Sequence, residues 1–317
     1  MRTDTFSLTA DDGATLFVHR FLPEGPPRAI VHIAHGMAEH GARYARLAES
    51  LAAAGYAVYA DDHRGHGKTA KSDTDLGFVA ASGGWERVVA DIGLLIAEEK
   101  RQHPGLPVVL MGHSMGSFLA QAFVLDHAAD VSALVLSASN GKPGLLAQVG
   151  RLIARLERLR LGDRGKSKLI NSLSFGAFNK QFAPNRTAFD WLSRDNAEVD
   201  KYVADPYCGF DCSISLWIDV LDGSARIADP AKQARLPHGL PIYVFAGSRD
   251  PVGENQKGAE RLVAAYKAAG LENVSSRFYP DGRHETINET NRDEVTRDLV
   301  AWLDGAVGQA AARAAQT

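Results

Sequence analysis

Cysteine is nearly missing from this chain: Cys208 and Cys212 are the two present in 317 residues. So few argue against a disulfide-stapled secreted scaffold, and in a reducing cytosol both stay as thiols. Their spacing of four allows a shared helix face, but two sulfurs without further donors nearby make no metal site. The opening residues, MRTDTFSLTADDG, contain no apolar h-region, so no secretory signal is expected. No stretch approaches roughly eighteen uncharged apolar residues, so no membrane span is expected. A basic surplus is lacking as well. The formal net charge of -3 gives no electrostatic case for nucleic acid as a partner. These absences point to a cytoplasmic protein.

What is present is an ordinary globular composition, 45% hydrophobic and 23% charged. The length is large for one compact core, so an insertion or a second domain is expected. Thr5–Thr9 and Leu16–Phe21 alternate like strands around an Asp11-Asp12-Gly13 turn. Short apolar runs then alternate with helical patterns. Ala29–Ala34, Tyr56–Ala60, Pro107–Met111 and Val131–Ser137 read as strands. Tyr44–Ala54, Trp85–Gln102 and Ser114–His127 read as helices, the second with Val88, Ile92, Leu95 and Ile96 on one face. The pattern lapses at Asn140 and resumes with Leu240–Ala246. A helix at Glu254–Ala269, a strand at Val274–Tyr279 and a helix at Asn291–Leu303 follow. The Ala-rich tail, Ala306–Thr317, is expected to fray. This spacing describes a mostly parallel sheet covered on both faces. The core is divided into residues 1–139 and 239–317 by a helical insertion over 140–238.

Gly112-His113-Ser114-Met115-Gly116 matches G-x-S-x-G. By chance the pentad arises in roughly one chain in six of this length, so its context decides. An apolar run precedes it and a helical run follows it, as a strand–turn–helix nucleophile elbow requires. The flanking glycines let strand and helix approach. The turn lifts the Ser114 hydroxyl above the sheet and sets the Met115 N–H at a helix N-terminus, facing a developing oxyanion. The bland alternative is a Gly-flanked turn with an idle serine.

A serine needs a neutral imidazole, and the imidazole needs a carboxylate. On such a scaffold the acid and the histidine follow late strands, in that order. Asp250 follows the Leu240–Ala246 strand and His284 follows the Val274–Tyr279 strand. Asp250 has a rival reading as a turn former before Pro251, Asp281 is a competing acid, and His284 has one as a surface histidine. A second oxyanion donor is expected after the third strand, in His35-Gly36-Met37-Ala38-Glu39-His40, with Met37 N–H as the candidate.

These pieces resemble the monoacylglycerol lipase/lysophospholipase group of α/β-hydrolases. The resemblance rests on His35–His40 with Arg43-Tyr44, on Asp62-His63-Arg64-Gly65-His66-Gly67, on the elbow, and on the Asp250 and His284 loops. It implies an α/β-hydrolase fold with a helical cap. It further implies a Ser114–Asp250–His284 triad, Met37 and Met115 as backbone donors, a lipid or small-molecule ester substrate, and no cofactor or metal. It also suggests that Glu39 and Arg43 hold a polar head group. A structural ion pair is the competing account of those two. The Asp62–Gly67 run is expected to brace loops.

Within the insertion, Leu145, Val149, Leu152, Ile153, Leu156 and Leu159 form a stripe, with Arg151, Arg155, Arg158 and Arg160 mostly off it. The stripe either packs on the core or docks, with its basic flank, on a membrane surface. Trp191, Tyr202, Tyr207, Phe210 and Trp217 are candidate pocket walls that the sequence leaves unranked. Two rival functions differ in class. A metallohydrolase would use His32, His35, His63, His66, Asp61 and Asp62. A hydrolase-like binder would hold a small molecule without turnover. Thioester, peptide or acyl-transfer chemistry would keep the triad and change the substrate.

Overall fold

The computed structural model describes residues 1–314, and the side chains of all of these except 145, 146 and 310–314. Its strands are β1 (Arg2–Thr9), β2 (Thr15–Leu22), β3 (Ala29–Ala34), β4 (Tyr56–Asp62), β5 (Val108–His113), β6 (Ala133–Ser137), β7 (Ile242–Gly247) and β8 (Val274–Tyr279). They form one sheet in the order β1-β2-β4-β3-β5-β6-β7-β8. β1 and β2 pair antiparallel, as do β2 and β4; every later pairing is parallel. The hairpin turns at Gly13, whose φ of 79 an L side chain resists, and Asp12 Oδ1 accepts the Ala14 N–H.

The helices are α1 (Ala45–Ala53), α2 (Gly84–Gln102), α3 (Met115–His127), α4 (Leu145–Leu161), α5 (Lys168–Leu173), α6 (Phe175–Lys180), α7 (Asn196–Ala204), α8 (Ile214–Ile227), α9 (Pro230–Gln233), α10 (Lys257–Ala268) and α11 (Arg292–Ala314). Every residue of β3, β4, β5, β6 and β7 is buried, which is why those segments read as unbroken apolar runs. The two-residue period of a strand sorts their side chains between two cores. Ile30, Val108, Leu110 and Leu134 meet Ile92, Leu119 and Phe123 of α2 and α3 on one face. Val31, Ile33, Val109 and Met111 meet Leu47 and Leu51 of α1 and Leu299 of α11 on the other.

Several boundaries shift from the sequence expectation, and two of the shifts have a visible physical cause. The helix expected from Glu254 begins at Lys257, because Glu254, Asn255 and Gln256 all take positive φ. That turn carries the Asn255 N–H back to the Asp250 carbonyl at 2.8 Å. The tail does not fray at Ala306. α11 continues to Ala314, and Ala306 and Val307 are buried against the second core. Residues 315–317 lie outside the described part. Between β6 and β7 lie α4 to α9, with no strand among the described residues.

Candidate active site

β5 ends at His113 and α3 begins at Met115, so Ser114 alone makes the turn. Its φ of 51 and ψ of -119 are strained for a serine. Close packing enforces that geometry. A Cβ on Gly116 would lie 2.1 Å from the Ala34 carbonyl oxygen, so only glycine lets α3 press against the end of β3. The Ser114 N–H donates to Ser137 O at 3.0 Å, and Ser117 Oγ donates to Ser114 O at 2.6 Å.

Asp250 and His284 follow β7 and β8, at the same sheet edge as Ser114. His284 Nδ1 lies 2.9 Å from Asp250 Oδ1, which also accepts the Val252 N–H at 3.0 Å. Both residues are buried, and Asp250 Oδ2 has no partner. Burial, the largest single influence, pushes the His284 pKa down, but the Asp250 charge and hydrogen bond, together with the Glu285 and Glu39 charges, outweigh it and hold the imidazole above its ordinary value. With Nδ1–H turned to Asp250, Nε2 is the free nitrogen. The neighbouring His113 ring packs 4.9 Å from that of His284. Burial holds His113 at about 4, so it stays neutral beside its partner. The competing acid Asp281 is exposed, with its N–H on Ser248 Oγ.

The loop after β3 reaches the same point. A Cβ on Gly36 would lie 3.3 Å from Ser114 Cβ, which measures how closely loop and elbow approach. Among the described residues the Met37 N–H, in this loop, meets no acceptor, and the Met115 N–H, in the first turn of α3, meets none outside that helix. Glu39 shapes this loop from beneath. Its Oε1 accepts the Gly36 N–H at 2.6 Å and the Tyr44 hydroxyl at 2.9 Å, and its Oε2 accepts from Arg43 at 2.5 Å. Arg43 also makes a two-pronged pair with Glu285, at 2.6 and 2.7 Å. Burial opposes charge on Glu285, but the Arg43 guanidinium prevails and holds its carboxyl well below the usual carboxylate range. Both carboxylate oxygens of Glu39 and both terminal nitrogens of Arg43 are thus engaged within the protein, as the ion-pair account describes. Glu285 is the member of this cluster that the sequence reading did not single out.

A stability prediction separates the two accounts of Glu39. Glu39→Ala strands the Gly36 N–H and the Tyr44 hydroxyl, at about 1–3 kcal/mol for each buried group left unpaired. Chemical denaturation reads that loss directly. Glu39→Gln keeps an acceptor at Oε1 and costs less. A head-group role instead raises KM for glycerol esters and leaves stability untouched.

Residues 190–194 of the insertion grip the His284 loop. The N–H groups of His284 and Glu285 donate to the carbonyls of Trp191 and Leu192, at 3.4 and 2.8 Å. Arg283 donates to the carbonyls of Asp190 and Ser193, and Ser193 Oγ donates to Asn288 O. Trp191 packs 5.0 Å from the His284 ring, backed by Phe175 and Phe178, and Phe175 meets Trp217. Trp191 is 4% exposed, and its Nε1 has no partner. The Tyr202 hydroxyl instead supports Ala38 O at 2.8 Å.

The histidine-rich run is a brace. Asp62 Oδ1 accepts the Gly41 N–H at 2.8 Å, and Oδ2 accepts the Lys68 N–H at 2.7 Å. His63 pairs with Asp61, and His32 with Glu99. Burial holds His66 at about 4, whereas in His32 the Glu99 and Asp61 charges overcome burial and raise the pKa to about 10. His32, His35, His63 and His66 belong to neither grouping of ligand atoms that a metal could bridge among the described residues.

The family model for serine aminopeptidase, S33, matches residues 25–291. A monoacylglycerol lipase from Mycolicibacterium smegmatis is 28% identical, over 92% of this chain and 93% of that protein. Human monoglyceride lipase is 27% identical, over 96% and 90%. Among solved structures, a carboxyl esterase from Bacillus coagulans in complex with glycerol superposes with a TM-score of 0.88. It is 27% identical, over 97% of this chain and 99% of that one. The elbow, the late acid and histidine loops and the sheet order agree with that kinship: the chain belongs to the serine aminopeptidase S33 family and is a monoacylglycerol lipase-like α/β-hydrolase.

Proposed function

We propose that this carboxylic ester hydrolase cleaves monoacylglycerol or lysophospholipid-type esters through an acyl-enzyme on Ser114. The observation that carries the reading is the buried Asp250–His284 hydrogen bond of 2.9 Å, at the sheet edge where Ser114 forms a strained turn. Neutral His284 takes the Ser114 proton through Nε2 as Oγ attacks the ester carbonyl. Met37 and Met115 N–H groups receive the oxyanion, one such donor being worth about 3 kcal/mol. Protonated His284, stabilised by ionised Asp250, then gives its proton to the leaving alcohol. Water repeats the sequence on the acyl-enzyme. Trp191 Nε1, a buried donor with no partner, is assigned to the alcohol side of the ester. The aromatic wall of Phe175, Phe178 and Trp217 suits an acyl chain.

An ester panel varying chain length and head group tests the substrate class on purified protein. Preference for long-chain glycerol or lysophospholipid esters over short acetates, thioesters and peptides supports it. Comparable turnover of all of these overturns it.

We further propose that residues 140–238 form a cap whose α4 edge docks on lipid. Val149, Leu152, Leu156 and Leu159 are 48%, 60%, 57% and 86% exposed, while Ile153 and Ala154 pack inward. Core packing therefore does not absorb the stripe. Leu145 lies outside the described side chains. The basic flank is largely spent: Arg151 and Arg155 pair with Asp222, Arg158 with Asp163 and Arg160 with Glu157. Hydrophobic insertion, rather than attraction to anionic lipid, is the expected driving force. Each buried leucine contributes about 1.5–3 kcal/mol, so Leu156→Glu with Leu159→Glu lowers vesicle partitioning by roughly 10^2–10^4-fold. Sedimentation with neutral vesicles measures it. Unchanged binding removes α4 as the docking edge. No described helix is long and apolar enough to cross a membrane.

A further inference from the structure

We infer that His40, Asp205 and Cys208 form a site for a borderline-soft divalent ion, Zn2+ in the first instance, which clasps the insertion to the oxyanion loop. His40 Nε2 lies 2.9 Å from Asp205 Oδ2, and one donor atom from each of the three residues falls within 4.8 Å of the others. A tetrahedral zinc site with these ligand types has donor–donor edges of roughly 3.3–3.8 Å, so rotamer-scale movement seats the ion. Imidazole, carboxylate and thiolate are each zinc ligands, and the sulfur selects against magnesium and calcium.

The surroundings support a cation. Zn2+ with one thiolate and one carboxylate is electrically neutral; binding releases the Cys208 proton to solvent. The nearest fixed positive charge, Arg43, is already matched by Glu39 and Glu285. Cys208 Sγ has no hydrogen-bond partner among the described residues, so no existing bond opposes its recruitment. The ion can enter past Asp205, whose side chain is 29% exposed against 11% for His40. Solvent on that side supplies the fourth ligand.

A second grouping, His19, His40 and Asp62, shares the histidine. There, both Asp62 oxygens already accept backbone N–H groups that brace two loops. Among the described residues Asp205 Oδ1 accepts only the Tyr207 N–H, at 2.8 Å, and Oδ2 meets only His40. To take a ligand the Asp205 set gives up only its own His40–Asp205 bond, whereas the Asp62 set would give up the bracing of two loops.

The ion would act on a defined element. Residues 202–209 already hold the oxyanion loop through two bonds to Ala38 O, from the Tyr202 hydroxyl at 2.8 Å and the Gly209 N–H at 3.0 Å. Ala38 itself has a φ of 57 and immediately follows Met37. Metal between His40 and residues 205–208 pins that buttress at both ends. Uptake of the ion does not depend on the assignment of the ester-cleaving residues, and only its effect on the Met37 loop rests on the proposed function.

The test uses the full chain, stripped of metal and titrated with Zn2+ against a chromophoric chelator, then with Co2+. The expected result is one tight ion per chain, a rise of several degrees in the melting midpoint, and thiolate-to-cobalt charge-transfer absorption in the near ultraviolet. Cys208→Ser and Asp205→Asn each weaken binding by at least an order of magnitude, and Cys208→Ser abolishes the charge-transfer band. Asp205→Asn, at a partly exposed position, remains informative should the cysteine variant fail to fold. Three outcomes overturn the proposal: no stoichiometric uptake by the parent, a cobalt spectrum without thiolate character, or binding in Cys208→Ser and Asp205→Asn equal to the parent's.

Discussion

Ser114→Ala lowers kcat by roughly a millionfold and leaves a folded protein. The structure explains both halves. Alanine keeps the backbone that Gly116 and the Ser114 N–H bond to Ser137 enforce, so the strained turn survives the loss of the hydroxyl. What disappears is the atom that His284 deprotonates, and no other hydroxyl is a substitute. Ser117 Oγ donates to Ser114 O and lies 2.7 Å from Ser139 Oγ, and Ser137 Oγ meets His113 Nδ1. His284→Ala is expected to cost about as much, and the double variant little more than either, because the groups act on one proton transfer. A fluorophosphonate probe, which needs the activated hydroxyl, labels the parent and neither variant. Turnover within about tenfold of the parent in Ser114→Ala excludes the serine mechanism and revives the reading as a binder or a different catalyst.

What could be read from the sequence follows from the range of the physics involved. The elbow is legible because its sterics act between neighbours: Gly116 is required by a contact that any strand–Ser–helix turn of this type creates. Asp250 and His284 are legible because parallel strands fix which loops share an edge, so chain order stands in for proximity. The Arg43–Glu285 pair spans 242 positions and the His40–Asp205 contact 165, and no local pattern announces either. The α4 stripe shows the intermediate case. Its period was plain, but periodicity reports only that the apolar groups share a face, not whether that face meets protein or solvent. The arginines beside it looked like free basic charge because Asp222 and Asp163 lie outside their helix. The delayed start of α10 has the same origin, since the backbone of Asp250, not the helix propensity of 254–256, sets the conformation there.

Asp250→Asn lowers kcat/KM by roughly 10^3–10^4-fold and moves the acid limb of the pH profile to lower pH. Burial lowers the His284 pKa, while the Asp250 charge and hydrogen bond, helped by the smaller effects of the Glu285 and Glu39 charges, together raise it by more. Since Nε2 must be unprotonated to act, the parent loses activity as pH falls through a value above the ordinary histidine pKa of about 6.5. Without the carboxylate, burial is the larger influence left, so the variant's imidazole stays neutral to lower pH. Its activity relative to the parent is therefore least poor in acid. The size of the loss follows from the hydrogen bonds at one oxygen. Asp250 Oδ1 accepts from both His284 Nδ1 and Val252 N. An asparagine that keeps its oxygen there retains the histidine's orientation but leaves the imidazolium without a counter-charge. One that turns its NH2 there faces two donors and forces the wrong tautomer. Either way the protonated intermediate is destabilised. A turn-forming aspartate before Pro251, acting only on the fold, changes the melting midpoint and leaves the pH limb where it was. A pH–rate profile of parent and variant distinguishes the two roles, and an unmoved limb with near-normal rate removes Asp250 as the acid.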